Sequence, residues 1–162
     1  MNGRAKTGKT RTRASTKKAS GESTSNIITA SGCIFLALDT GRVCLQLRGK
    51  YSSHQGTWSF WGGKAEGQER PVETLLRELN EEIGMLPDME KIYPLHKFTS
   101  KDQNFEYNAF VVTTFEEFSP QTNKESAGYA WVNLRMYPRP LHQGARLVLT
   151  NPDMIEKIET IW

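Results

Sequence analysis

Residues 63–85 read GKAEGQERPVETLLRELNEEIGM, and the spacing of glycines, acids and leucines in this stretch decides the fold. Pro71 stands where a first helical residue is favoured, because its missing N–H costs nothing there, and Gly84 stands where the chain has to leave the helix. PVETLLRELNEEIG is therefore predicted as one helix. At about 100° per residue, Val72, Leu75, Leu76, Leu79 and Ile83 fall on one stripe, the face that packs on a core. Glu78, Glu81 and Glu82 fall together on an adjacent stripe. Carboxylates that close repel one another, and between Val72 and Gly84 the one basic residue is Arg77. Hard oxygen donors on one face suit a divalent cation. The glycine-rich loop before the helix and the helix N-terminus itself offer N–H groups that favour phosphate. Carboxylates beside a phosphate cradle point to metal-assisted phosphoryl chemistry. The helix alone leaves one alternative open, a solvated acidic face.

Working outward, IITASGCIFLAL (27–38) is long, β-branched and apolar and reads as a buried strand. DTGR is a turn, and VCLQLRGK (43–50) a second strand, so residues 27–50 are expected to form a hairpin. YSSHQG is a polar loop, TWSFW (57–61) a short aromatic strand, and GGKAEGQER a loop. Beyond the helix, KIYPLHKFTS and FEYNAFVVTTF read as two more strands, EEFSPQTNKESAG as a loop and YAWVNL as a further strand. Asn151 and Pro152 are a good N-cap and first residue for a last helix, PDMIEKIETI. Strands outnumber helices and the order is mixed, which implies an α/β sheet covered by helices.

The chain has 162 residues, enough for one domain with a sizeable core, and its 37% hydrophobic and 24% charged residues are ordinary for a soluble protein. No apolar run approaches the roughly 18 residues that span a bilayer, and no secretory signal follows the basic start. Cys33 and Cys44 sit in strand-like apolar flanks and are expected to be free thiols in the core, with the cytoplasm as the default compartment. The formal net charge of +3 hides a division. Residues 1–26 hold seven basic residues and one acid, so they carry +6 and the remainder −3.

Within that segment, GRAKTGKT (3–10) fits the phosphate-loop pattern G-x-x-x-x-G-K-[ST]. A phosphate loop needs a buried strand before it and a helix after it. Only Met1 and Asn2 precede it, and RTRASTKKASGESTSN contains no Leu, Ile, Val or Phe. The match is read as coincidence. Residues 1–26 are expected to be a disordered basic tail, able to touch nucleic acid or another polyanion through charge alone.

The stretch 63–85 resembles the signature of the Nudix hydrolases, G-x5-E-x7-R-E-U-x-E-E-x-G-U, where U is a bulky aliphatic residue. Gly63, Glu69, Arg77, Glu78, Leu79, Glu81, Glu82, Gly84 and Met85 fill every fixed position. The order of elements resembles the family through residues 27–134. The resemblance implies an α/β/α sandwich around a mixed sheet over 27–162. It also implies hydrolysis of a nucleoside diphosphate linked to another group, with Mg²⁺ or Mn²⁺. Glu78, Glu81 and Glu82, with a backbone carbonyl of the Gly62–Gly63 pair, would hold the metal. Arg77 would pair with Glu69 and orient the carboxylates, and water bound to the metal would attack a phosphorus.

An acid outside the motif often completes such a site. Glu125, six residues before Trp131, is the candidate ligand or general base, with Glu106, Glu116 and Glu117 weaker ones. Arg48 and Lys50 are candidates to meet phosphate, and Trp58, Phe60 and Trp61 to stack on a base, with Trp61 replacing a proline common in the family and standing beside the cleft. His54, His96 and His142 show no ligand spacing. The substrate stays open between ADP-ribose or another nucleotide sugar and a nucleoside triphosphate, including oxidised dGTP. Two other readings are a non-catalytic nucleotide-binding module and a hydrolase of capped RNA ends anchored by the basic tail. Members of the family are often homodimers, though no interface is legible.

Overall fold

The computed structural model describes residues 26–162. Residues 1–25, with the GRAKTGKT match and nearly all of the basic segment, lie outside the described residues. The element order is β1 (Ile28–Ala37), β2 (Arg42–Arg48), β3 (Trp58–Ser59), β4 (Trp61–Lys64), α1 (Pro71–Ile83), β5 (Met89–Thr99), β6 (Phe105–Thr114), β7 (Ser126–Asn133), α2 (Gln143–Leu149) and α3 (Pro152–Glu159). The strands form one mixed sheet in the order β3-β2-β1-β6-β5, with β4 pairing β1 and β7 pairing β2. β1 runs parallel to β6 and antiparallel to β2 and β4.

β1 is buried from Ala30 to Ala37 and mostly apolar there because both of its faces are covered. Its odd residues Cys33 and Phe35 join Cys44, Trp61, Phe110 and Val112 beneath Leu75, Leu79 and Ile83 of α1. Its even residues Ile34 and Leu36 join Val43, Leu45 and Val111 beneath Val148, Leu149, Ile155 and Ile158 of α2 and α3. The molecule is thus an α/β/α sandwich with two cores separated by the sheet. Each fully buried leucine or isoleucine contributes roughly 1.5–3 kcal/mol by leaving water. Cys33 and Cys44 are free and buried in the α1-side core, and burial pushes both thiols up, Cys44 to about 12.

Three expectations change. The glycines Gly62 and Gly63 do not lie in a loop, because residues 61–64 form β4 and pair with Ala30–Cys33 of β1. On α1, Val72 is exposed, and Thr74 is buried in its place. α2 was not expected at all. It is seven residues long, is capped by His142 and has Gly144 in its first turn, a sequence with no strong helix signal. Among the described residues no helix is long and apolar enough to cross a membrane.

Candidate metal and substrate site

α1 carries Glu78, Glu81 and Glu82 to the rim of a cavity of about 690 Å³. Glu82 is the most enclosed, with 4% of its surface exposed. Its Oε2 accepts the Gly62 N–H at 2.8 Å and its Oε1 accepts Gln46 Nε2 at 3.3 Å. Gln46 is itself held by Ser59 Oγ, which donates to Gln46 Oε1 at 3.3 Å. Burial pushes the Glu82 carboxyl up to about 8, with the nearby Glu78 charge adding to the shift and the two hydrogen bonds opposing it. Burial likewise raises Glu78, with Arg77 opposing.

Gly62 and Gly63 are glycines for different reasons. Gly62 has φ 141°, and a side chain there would strike the Ser31 carbonyl oxygen. A side chain on Gly63 would occupy the space filled by the Glu78 carboxylate.

Arg77 organises the acids. Its Nε donates to Glu69 Oε1 at 2.7 Å and its Nη2 to Glu69 Oε2 at 3.1 Å, a two-pronged contact. Its Nη1 reaches Glu78 at 3.0 Å and Glu81 at 3.2 Å, and its Nη2 the Lys64 carbonyl at 2.8 Å. The guanidinium holds Glu69 down at about 2. The phosphate cradle expected at the start of α1 is occupied by the chain's own acids. Glu73 accepts the Arg70 N–H at 2.8 Å, and Glu69 accepts the Glu66 N–H at 2.9 Å and the Thr74 hydroxyl at 3.1 Å.

As the side chains stand, no three His, Cys, Asp or Glu among the described residues are arranged to hold a metal ion. The contacts explain this: Arg77 draws Glu78 and Glu81 to itself, while Gly62 and Gln46 draw Glu82 the other way. The donor set nevertheless fits a hard divalent cation. All its groups are carboxylate or carbonyl oxygens, two of the acids resist ionisation because they are enclosed, and the Glu78 carboxylate lies directly on the Gly63 backbone.

Besides these acids, the same cavity is lined by Arg48, His54 and His142 and by the rings and apolar side chains of Phe98, Phe105, Tyr107 and Leu147. Arg48 is fixed by donating to the Ser53 carbonyl at 2.6 Å and to Ser53 Oγ at 3.1 Å. Tyr107 stands between Gly32 and Gly144, neither of which has room for a side chain against its ring, and burial raises its phenol. His142 caps α2, its Nδ1 accepting the Gly144 N–H at 3.3 Å. Burial first, then the charges of Arg48 and His54, holds its imidazole down at about 4.

Of the residues singled out in the sequence, Glu78, Glu81, Glu82, Arg77, Gly62, Gly63, Arg48, Phe60 and Glu125 all line this cavity. Glu69 reaches it through Arg77. Trp61 does not line it. It is fully buried in the α1-side core and donates its indole N–H to the Cys44 carbonyl at 3.2 Å. Trp58 packs on the opposite core, also away from the cavity wall. Both are apolar rings on strands whose neighbours cover them. Glu106 pairs with Lys97 at 2.9 Å and Glu117 with Arg42, and Lys50 lies over Tyr51. The wall of Phe105 and Tyr107 was readable only as strand alternation. His142 and Leu147 carried no sequence signal, because α2 itself had none.

The model of the Nudix family, described as NUDIX domain, matches residues 28–151. The chain belongs to the Nudix family. A relative from Mycobacterium tuberculosis, named "Putative 8-oxo-dGTP diphosphatase 3", is 31% identical over 110 residues, covering 65% of this chain and 51% of the relative. The chain thus spans about half the length of that relative. Among solved structures, the Nudix hydrolase RenU from M. smegmatis superposes with a TM-score of 0.64 at 21% identity, over 85% of this chain and 88% of that one. The E. coli ORF135 protein superposes with a TM-score of 0.59 at 22% identity, over 84% and 93%. At these identities the superpositions establish the Nudix fold.

Proposed function

We propose that residues 27–162 form a metal-dependent pyrophosphohydrolase that cleaves a diphosphate linkage in a nucleoside diphosphate-X substrate, best matched by a nucleoside triphosphate, including an oxidised one. The observation that carries this reading is the continuity of the cavity. One space joins the Glu78–Glu81–Glu82 cluster to an aromatic wall, which suits a molecule charged at one end and flat at the other. The name of the M. tuberculosis relative supports the triphosphate class.

Glu78, Glu81 and Glu82, with a carbonyl of the Gly62–Gly63 pair, would hold Mg²⁺ or Mn²⁺. The ion would neutralise phosphate charge and make water more acidic. Gly62 and Gln46 keep the Glu82 carboxylate in place, and Arg77, braced by Glu69, keeps Glu78 and Glu81 from swinging into solvent. Arg48, fixed by Ser53, presents charge toward a phosphate. Glu125, on the same cavity, would add a further carboxylate to the ion's oxygen donors. Phe105, Tyr107 and Leu147 exclude water from the nucleoside end. Residues 1–26 add a basic arm that contacts polyanions weakly and with a steep dependence on salt.

The test is a substrate panel with Mg²⁺ for wild type and Glu82→Gln, scoring released phosphates. It holds ADP-ribose, nucleotide sugars, canonical and oxidised triphosphates, and capped RNA. The expected result is turnover of a triphosphate that falls on the order of a hundredfold or more in the variant. If wild type turned over nothing, the chain would instead be a nucleotide-binding module.

A further inference from the structure

The segment between β6 and β7 is hydrogen-bonded to α1 through one residue, Asn123. Asn123 Nδ2 donates to the Glu81 carbonyl at 3.1 Å, and the Asn123 N–H donates to the Glu82 carbonyl at 3.3 Å. These carbonyls belong to the last turn of α1, where helix carbonyls lack partners within the helix. In the other direction, Asn123 Oδ1 accepts the Glu125 N–H at 2.8 Å. The Glu125 carbonyl in turn accepts the Gly49 N–H at 2.7 Å. Glu125 is therefore gripped on both sides of its own backbone, by α1 through Asn123 and by the end of β2 through Gly49. Its carboxylate makes no hydrogen bond among the described residues and lines the same cavity as Glu78, Glu81 and Glu82.

We propose that Asn123 is a positioning residue that sets the Glu125 carboxylate against Glu81 and Glu82 and so completes the cation site. The proposal rests on the hydrolase reading above. One side-chain amide joins the Glu81 carbonyl to the Glu125 N–H, while the backbone N–H of the same residue holds the Glu82 carbonyl, so residue 123 fixes the spacing between helix and loop. Without the side chain, the loop keeps the Gly49 contact and the backbone bond to the Glu82 carbonyl, but the direct link from the Glu81 carbonyl to the Glu125 N–H is lost and the Glu125 carboxylate is less closely set against α1.

The experiment measures Mn²⁺ dissociation constants, by the spin resonance of free Mn²⁺, together with kcat and KM on the best substrate of the panel. The variants are Asn123→Ala, Asn123→Ser, Glu125→Gln and the double variant Asn123→Ala/Glu125→Gln. Asn123→Ala is expected to weaken Mn²⁺ binding roughly tenfold and to lower kcat more than it changes KM. Asn123→Ser should recover only part of the loss, because a serine hydroxyl accepts the same N–H two residues on but does not also hold the Glu81 carbonyl. In the Glu125→Gln background, Asn123→Ala should have almost no further effect. An equal loss in both backgrounds would make Asn123 only a cap for α1, and wild-type values in Asn123→Ala would remove its role altogether. A wild type that bound no Mn²⁺ and hydrolysed nothing would overturn the hydrolase reading itself. An active wild type with an indifferent Asn123→Ala would overturn the positioning role alone.

Discussion

The Glu78 carboxylate occupies the place that a side chain on Gly63 would take. The backbone of residue 63 is not in the left-handed region, so the need for glycine there comes from the neighbour and not from the chain's own conformation. Gly63→Ala should therefore fold but push Glu78 off the strand, lowering turnover roughly ten- to a hundredfold with little change in thermal midpoint. Gly62→Ala should behave differently. Its φ of 141° and the Ser31 carbonyl both oppose a side chain, and the fold should lose about 2 kcal/mol or more, read from urea unfolding.

Arg77→Lys keeps the charge and loses the fork. Lysine cannot grip both oxygens of Glu69 while reaching Glu78 and Glu81, contacts that Arg77 makes at once. Turnover should fall about tenfold or more. Glu69→Gln should cost a similar factor, and the two changes together should cost little more than either. Additive losses measured in kcat would separate Glu69 from the orientation of the helix acids.

His142 ties stability to acid. Its imidazole sits below its ordinary range, near 4, because it is buried and faces the charges of Arg48 and His54, and in its neutral form it accepts the Gly144 N–H. The unfolded chain takes up this proton first, so the contribution is whole above about pH 6.5 and is lost as pH falls toward 4. Asparagine at 142 retains a capping acceptor without a titrating group. Urea midpoints at pH 7 and pH 5 should differ less in His142→Asn than in wild type, and an equal difference would remove His142 as the cause.

Mg²⁺ or Mn²⁺ should stabilise the fold. An ion bound only by the folded chain adds about 2.7 kcal/mol at a hundred times its Kd. A thermal scan should show the midpoint rise with added ion, fall back with a chelator, and stay unchanged in Glu82→Gln.

The helix that bears the acids was legible almost to the residue, because Pro71 and Gly84 are strong local signals and the leucine spacing agrees with them. The two central strands were legible because β1 is covered on both faces and so reads as a long, mainly apolar run ending in CIFLA. What failed depends on contacts distant in sequence. Gly62 and Gly63 look like loop residues, yet they form a strand because β1 pairs with them. Trp61 looks like a stacking residue beside a cleft, yet strand alternation turns it into the core. α2 is too short to show a period. It is held by Ala145, Val148 and Leu149 packing on residues far earlier in the chain, and the far wall of the cavity was hidden with it.

The sheet works as a partition. Leu79 anchors α1 on one side and Leu149 anchors α2 on the other, in cores that share no member. Leu79→Ala and Leu149→Ala should each cost roughly 2–5 kcal/mol, and the pair should add to within about 0.5 kcal/mol. The helix bearing the acids and the helix lining the opposite wall thus rest on separate foundations. On the proposed hydrolase reading, a lineage could exchange its clientele by rebuilding the α2 side while the α1 side stayed untouched.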